Sequence, residues 1–248
     1  MPATLAALAA CAAPIGWQTR GNPRLADYQR AFEREAGTAI AGHASRAEAL
    51  QLIRGCRVLW LGDHHRDQAL HHRQLDLLQQ LVRDGAHLCL GLEAIGTQDQ
   101  AAVDAYLAGS TDLDHLIAAV RRRWPASWLG GGDVDAAHYR ALLRFARATG
   151  SPVFALEPTP RLPLAQRDRT IAASVRLADA LHPDRLLVVV LGQTHLLGHG
   201  RVPERTGLSS FLLGAEPPPV LAAELDARRR AGTLAPDDLV RTDGGLWY

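Results

Sequence analysis

The residues whose types suit chemistry are Asp63, His64, His65, Glu93 and His195, and they stand just after short apolar runs. The first run leads into Gly62-Asp63-His64-His65, with His71-His72 close behind. The second ends at Glu93, the third at Glu157-Pro158, and the fourth at Gly192-Gln193-Thr194-His195. Four of the chain's 11 histidines fall within residues 64–72, so the clustering is local. Imidazoles and carboxylates move protons near neutrality and ligate zinc-like ions. Two hydrolytic chemistries use such a set. Asp63, His65, Glu93 and His195 converging on one divalent ion would lower the pKa of a bound water and produce a nucleophile. Without metal, His195 or His65 would act as a general base oriented by a carboxylate. The chain has no Gly-x-Ser-x-Gly elbow and no glycine-rich phosphate loop of the common types, which argues against a serine nucleophile.

These groups need elements to position them. Residues 57–61, 88–92, 152–156 and 186–191 are compact and continuously apolar, as strands covered on both faces are. Between them, Leu70, Leu77, Leu78, Leu81 and Val82 form one helical stripe with Gly85 after it. Segments 101–107 and 113–122 predict two shorter helices. Segment 134–149 predicts a longer one, capped by Asp133 and ended by Gly150, and 166–181 predicts another. Strand alternating with helix implies an α/β fold: a mainly parallel central sheet flanked by helices on both faces, in a single domain. Parallel strands bring their carboxyl ends to one edge, where ligands bind in open α/β sheets. All four polar strand ends therefore meet at that edge.

The readings of individual residues differ. One of His64 and His65 is expected to point into the cleft while the other packs beneath it. His71 and His72 open a helix, so one of them can face solvent. Glu157 is either a loop carboxylate or a ligand. Segment 124–133 (WPASWLGGGD) reads as a loop over something apolar, with Trp124 and Trp128 suited to a flat apolar ligand or to plain lid packing. Three prolines keep 158–163 irregular. After Arg201 the pattern weakens, and 220–230 reads as a helix or as a strand followed by a helix.

Composition narrows the partners. The 248 residues are 47% hydrophobic and 21% charged, with a formal charge of +1 and no long tract of one sign. Nucleic acid is therefore not an expected partner. No apolar run approaches the roughly 20 residues that cross a bilayer. Cys56 and Cys89 lie in or beside strand-like runs, whereas Cys11 closes Leu8-Ala9-Ala10-Cys11 behind Ala3, Leu5, Ala6 and Ala7. That resembles the lipobox of a bacterial lipoprotein, although only uncharged Met1 and Pro2 precede the apolar residues. Residues 1–25 are accordingly read as a signal, lipid-anchor-like or disordered segment, and 26–248 as the α/β domain.

The motifs also carry a resemblance. Leu61–His72 (LGDHHRDQALHH), Gly91–Gln100 (GLEAIGTQDQ) and Leu191–Arg205 (LGQTHLLGHGRVPER) resemble the pattern of the ChaN-like haem-binding uptake family. The resemblance runs on through residues 138–158, 166–172 and 237–244. That family shares a superfamily with Tiki-type metalloproteases, TraB proteins and erythromycin esterases. Where its first motif has glutamate, this chain has Asp63, one methylene shorter. The resemblance implies haem in an apolar cleft, shared face to face across a homodimer, and a role in haem or iron uptake. It implies Tyr139 as the first axial-ligand candidate and a histidine of the 64–72 cluster (His64, His71 or His72) as the second. Trp124 and Trp128 would cover the macrocycle and Arg121–Arg123 would meet its propionates. A lipid anchor at Cys11 would place the protein in the bacterial cell envelope; without one it would be periplasmic or cytoplasmic.

Overall fold

The computed structural model describes residues 23–125, 127–131 and 134–248. Cys11 and the expected cap Asp133 lie outside them. Strand alternation builds the centre. In β2 (Val58–Asp63), Leu59 and Leu61 face one apolar cluster, while Val58 and Trp60 face another. In β5 (Leu186–Gly192), Val188 and Val190 join the first cluster, and Leu187, Val189 and Leu191 join the second. Both faces of each strand are thus buried, which explains the unbroken apolar runs in the sequence. β3 (Leu88–Gly96), β4 (Val153–Glu157) and β6 (Ser210–Leu213) complete a parallel sheet of order β4-β3-β5-β2-β6. Gly91 is required in β3 because a Cβ there would come within 2.5 Å of the Phe154 ring of the neighbouring strand.

Helices cover both faces, as the α/β reading expected. The first cluster takes side chains from α3 (Gln68–Arg83), α4 (Gln100–Leu107), α5 (Leu113–Arg123) and α6 (Ala136–Thr149). The second takes Phe32 from α1 (Pro23–Glu35) and Ile171, Val175 and Ala178 from α7 (Leu164–Leu181). Asp67 caps α3 by accepting from the Leu70 N–H, and α6 stops at Gly150 in the left-handed region, φ 62°. β3 runs past its expected end through Glu93, with a register shift against β4 between Leu92 and Gly96.

Several elements were not resolved among the expectations from the sequence. α1 begins at Pro23, so Arg24 and Leu25 belong to a helix rather than to the N-terminal segment. β1 (Ile40–Ala44) pairs antiparallel with β7 (Leu239–Thr242), and α2 (Arg46–Arg54) lies between β1 and β2 behind a Ser45–Glu48 capping box. Beyond β5 come the short α8 (Val202–Thr206) and α9 (Pro219–Arg230), so the ambiguous segment near 220 is a single helix.

Candidate functional site

The same alternation decides where the polar residues point. Asp63 continues the parity of Leu59 and Leu61, so it leaves β2 toward α3 and α6. Its Oδ2 lies 2.7 Å from Nδ1 of His65 and accepts from the Tyr139 hydroxyl at 2.6 Å, and its Oδ1 lies 2.9 Å from Nε2 of His71. The other ring nitrogen of His71 faces Asp135 Oδ2 at 2.9 Å. With a carboxylate at each nitrogen, His71 donates from both. Burial opposes its charge, but Asp63 and Asp135 outweigh it and raise the pKa. His138 stacks on it at 3.9 Å, 3° from parallel. Burial first, and then the His71 charge, push His138 down to about 4.

Glu93 has the opposite parity in β3 and faces α7. Its Oε2 accepts from the Gly192 N–H at 2.6 Å, and its Oε1 from the Arg167 guanidinium. Arg167 also donates from Nε to Glu157 Oε2 at 2.7 Å and from NH1 to His195 Nε2 at 3.0 Å. Nδ1 of His195 lies 2.6 Å from Asp168 Oδ1, and the Tyr28 hydroxyl of α1 donates to Asp168 Oδ2 at 2.9 Å. Burial alone would raise the Glu93 pKa, but Arg167 and the nearby imidazoles bring it down to about 2. Glu157 goes the other way: burial raises it, and Arg167 only partly offsets this.

The two polar clusters, one from each face of the sheet, meet at Gly192. A Cβ built there would lie 3.4 Å from Glu93 Oε2, 3.6 Å from His195 Cδ2 and 3.8 Å from His65 Cε1. Asp63, His65, Glu93 and His195 are therefore neighbours, as the strand ends required. They share a cavity of about 1060 Å³ with His64, Arg167, Trp128 and Leu25 in its wall. Further apolar lining comes from Pro125, Val134, Leu162 and Leu164, and Arg24, Arg121 and Arg161 bring positive charge. The Trp128 ring lies 4.0 Å from that of His65.

Other expected residues stand elsewhere. Tyr139 is 1% exposed, packed behind His65 and away from the cavity lining. His71 is buried beneath the cavity, not in its wall, and His72 is exposed. Trp124 packs 6.1 Å from Trp128 without lining the space. Of Arg121–Arg123, only Arg121 reaches the cavity, and Arg123 pairs with Asp99. His64 and His65 both line the space. Among the described residues, the buried His64 Nε2 has no hydrogen-bond partner.

A divalent ion held by Asp63, His65, Glu93 and His195 does not fit these side chains. Arg167 stands between Glu93 and His195 and uses the lone pairs a metal would need. Among the described residues, no group of three or more His, Cys, Asp or Glu could hold an ion. Arg167 and Asp168 were legible in the sequence only as part of a motif, because a helical Arg-Asp pair ordinarily reads as solvated surface. Their burial, at 2% and 0% exposure, is what marks them.

Residues 49–164 match the family described as haem-binding uptake, Tiki superfamily, ChaN. Over this segment the chain is similar to that family. The matched segment is just under half of the chain and contains Asp63, His65, Glu93, Tyr139 and Glu157. Arg167, Asp168 and His195 lie beyond it. Among solved structures, the chain is similar to ChaN of Campylobacter jejuni, described by its cofacial heme binding. Identity is 11% over 68% of this chain and 84% of that one, with a TM-score of 0.45. It is similar to the type III effector HopBA1 at 15% identity over 64% of this chain and 77% of that one, TM-score 0.45. It is also similar to RRSP, a MARTX toxin effector domain from Vibrio vulnificus, at 17% identity over 73% of this chain and 35% of that one, TM-score 0.40. No curated protein sequence matches the chain.

Proposed function

We propose that this protein binds haem in the cavity at the carboxyl edge of its sheet and serves haem or iron uptake. The observation that carries the reading is the cavity of about 1060 Å³ at the ChaN-like strand ends. It is at the large end of ligand pockets, about 300–1,000 Å³. Its wall supplies the three things a porphyrin needs. Trp128, Leu25, Leu162 and Leu164 offer apolar surface. Arg24, Arg121 and Arg161 suit two propionates. His64 and His65 offer imidazoles, and the buried His64 Nε2 has no partner among the described residues. Bound haem would supply the iron chemistry, while the chain holds and orients the macrocycle. Titration with haemin tests this: a saturable Soret band is expected, and its absence would end the proposal. The lipid anchor at Cys11, a place in the cell envelope and pairing of two copies across haem belong to the same proposal. Mass spectrometry of the membrane-derived protein tests the anchor.

A second reading, hydrolysis without a metal, has one observation in its favour. Glu93 lies between two imidazoles, His65 and His195, each held by its own carboxylate. His65 would take a proton from a water in the cavity through Nε2, and Asp63 would hold the imidazolium so formed.

A further inference from the structure

If haem occupies this cavity, its iron needs one side-chain donor, and the tertiary structure narrows the choice. No methionine occurs among the described residues, since the chain's single methionine is Met1. Cys89 is buried within the sheet, and Cys56 precedes β2, at the strand end away from the cavity. The Tyr28 hydroxyl is given to Asp168. That of Tyr139 is given to Asp63 and lies behind His65. His71 has both nitrogens paired. His195 accepts from Arg167 at one nitrogen and faces Asp168 at the other.

His65 is different. Its Nδ1 is within 2.7 Å of Asp63 Oδ2, and an ionised carboxylate only accepts, so the Nδ1 proton lies in that bond. Among the described residues nothing bonds its Nε2, and its ring lines the cavity. An imidazole that gives one N–H to a carboxylate is fixed in tautomer and orientation, and its other nitrogen is the stronger donor. Asp63 is itself held in place by His71 and Tyr139, so the whole buried cluster serves to aim one lone pair.

Resting on the haem reading above, we propose that His65, through Nε2, is the axial ligand of the iron, with Asp63 as the carboxylate that orients it and raises its donor strength. Tyr139 is then a positioning residue, two bonds removed from the metal.

The test is haemin titration of the full chain, followed by absorption and electron paramagnetic resonance. The wild type should give the signature of a nitrogen-ligated ferric haem, and Tyr139→Phe should keep it. His65→Gly should lose it and regain it on addition of free imidazole. Asp63→Asn should weaken binding roughly 10–100-fold, as loss of such a carboxylate does, and raise the reduction potential of the bound haem. Circular dichroism checks that the variants fold. A phenolate-to-iron charge-transfer band in the wild type that vanishes in Tyr139→Phe would overturn the assignment. So would a nitrogen signature that survives His65→Gly but not His64→Ala. Both outcomes would leave haem binding intact. Failure of the wild type to bind haemin saturably would instead remove the haem reading and this assignment together.

Discussion

Arg167 donates from NH1 to Nε2 of His195 across 3.0 Å. A guanidinium has donors only, so Nε2 must be the bare nitrogen and the proton must sit on Nδ1, 2.6 Å from Asp168. Nitrogen-15 spectra of histidine-labelled protein should therefore show His195 as the neutral Nδ1–H tautomer. Asp168→Ala should loosen the ring but keep that tautomer, because Arg167 still donates to Nε2, and Tyr28→Phe, which removes only an outer donor, should keep it as well. An Nε2–H tautomer in the wild type would contradict the geometry.

Removing the guanidinium should be costly to the fold. Arg167 is 2% exposed and neutralises Glu93 and Glu157 together. Arg167→Met leaves the buried Glu93 without its cation and Glu157 with only the exposed Arg161, and loss of one partner of a buried pair costs about 3–5 kcal/mol. Urea denaturation should record that loss. Adding Glu93→Gln to Arg167→Met should recover part of it, because one stranded charge disappears.

Gly192→Ala should separate folding from ligand binding. The backbone at Gly192, φ −48° and ψ 127°, suits alanine, and the new methyl would make only ordinary contacts of 3.4–3.8 Å. Stability should stay level or rise by up to about 1 kcal/mol. The methyl, however, would stand among Glu93, His195 and His65, so haemin affinity should fall by about tenfold, or about 1.4 kcal/mol. An unchanged titration curve would show that the ligand does not use this junction.

Stability should also fall on acidification through His138. Its folded pKa is depressed to about 4 from 6.5 by burial and the neighbouring His71 charge. The unfolded chain thus binds the extra proton first. The stabilising contribution is complete above pH 6.5 and is lost as pH drops toward 4, at most about 3 kcal/mol in all. His138→Phe should flatten the difference profile across that window, measured by thermal or urea unfolding at a series of pH values.

Much of this architecture follows from local rules. Continuous apolar runs of five or six residues, alternating with amphipathic segments, can only be buried parallel strands and their crossovers. Parallel strands must end on one edge, which is why Asp63, Glu93 and His195 were recognisable as neighbours before any coordinate. The limits were equally physical. α1, α2 and the β1–β7 pair lie outside the alternation that marks the central sheet, and their places are set by what they pack on.

What the sequence determined alone was the sheet, its polar edge and the family resemblance, since all three depend on residue order and period. Only the tertiary structure decided which imidazoles face the cavity. His64, His65, His71 and His72 are equivalent by type, and their roles depend on the path of the chain out of β2, on the rotation of α3 and on which carboxylate each ring meets. The same packing turned Tyr139 inward to Asp63. It also brought Arg167, an ordinary helical arginine by its neighbours in sequence, between two glutamates and His195. Those placements arise from side chains far apart in the chain competing for the same few buried hydrogen bonds, a competition that no local pattern records.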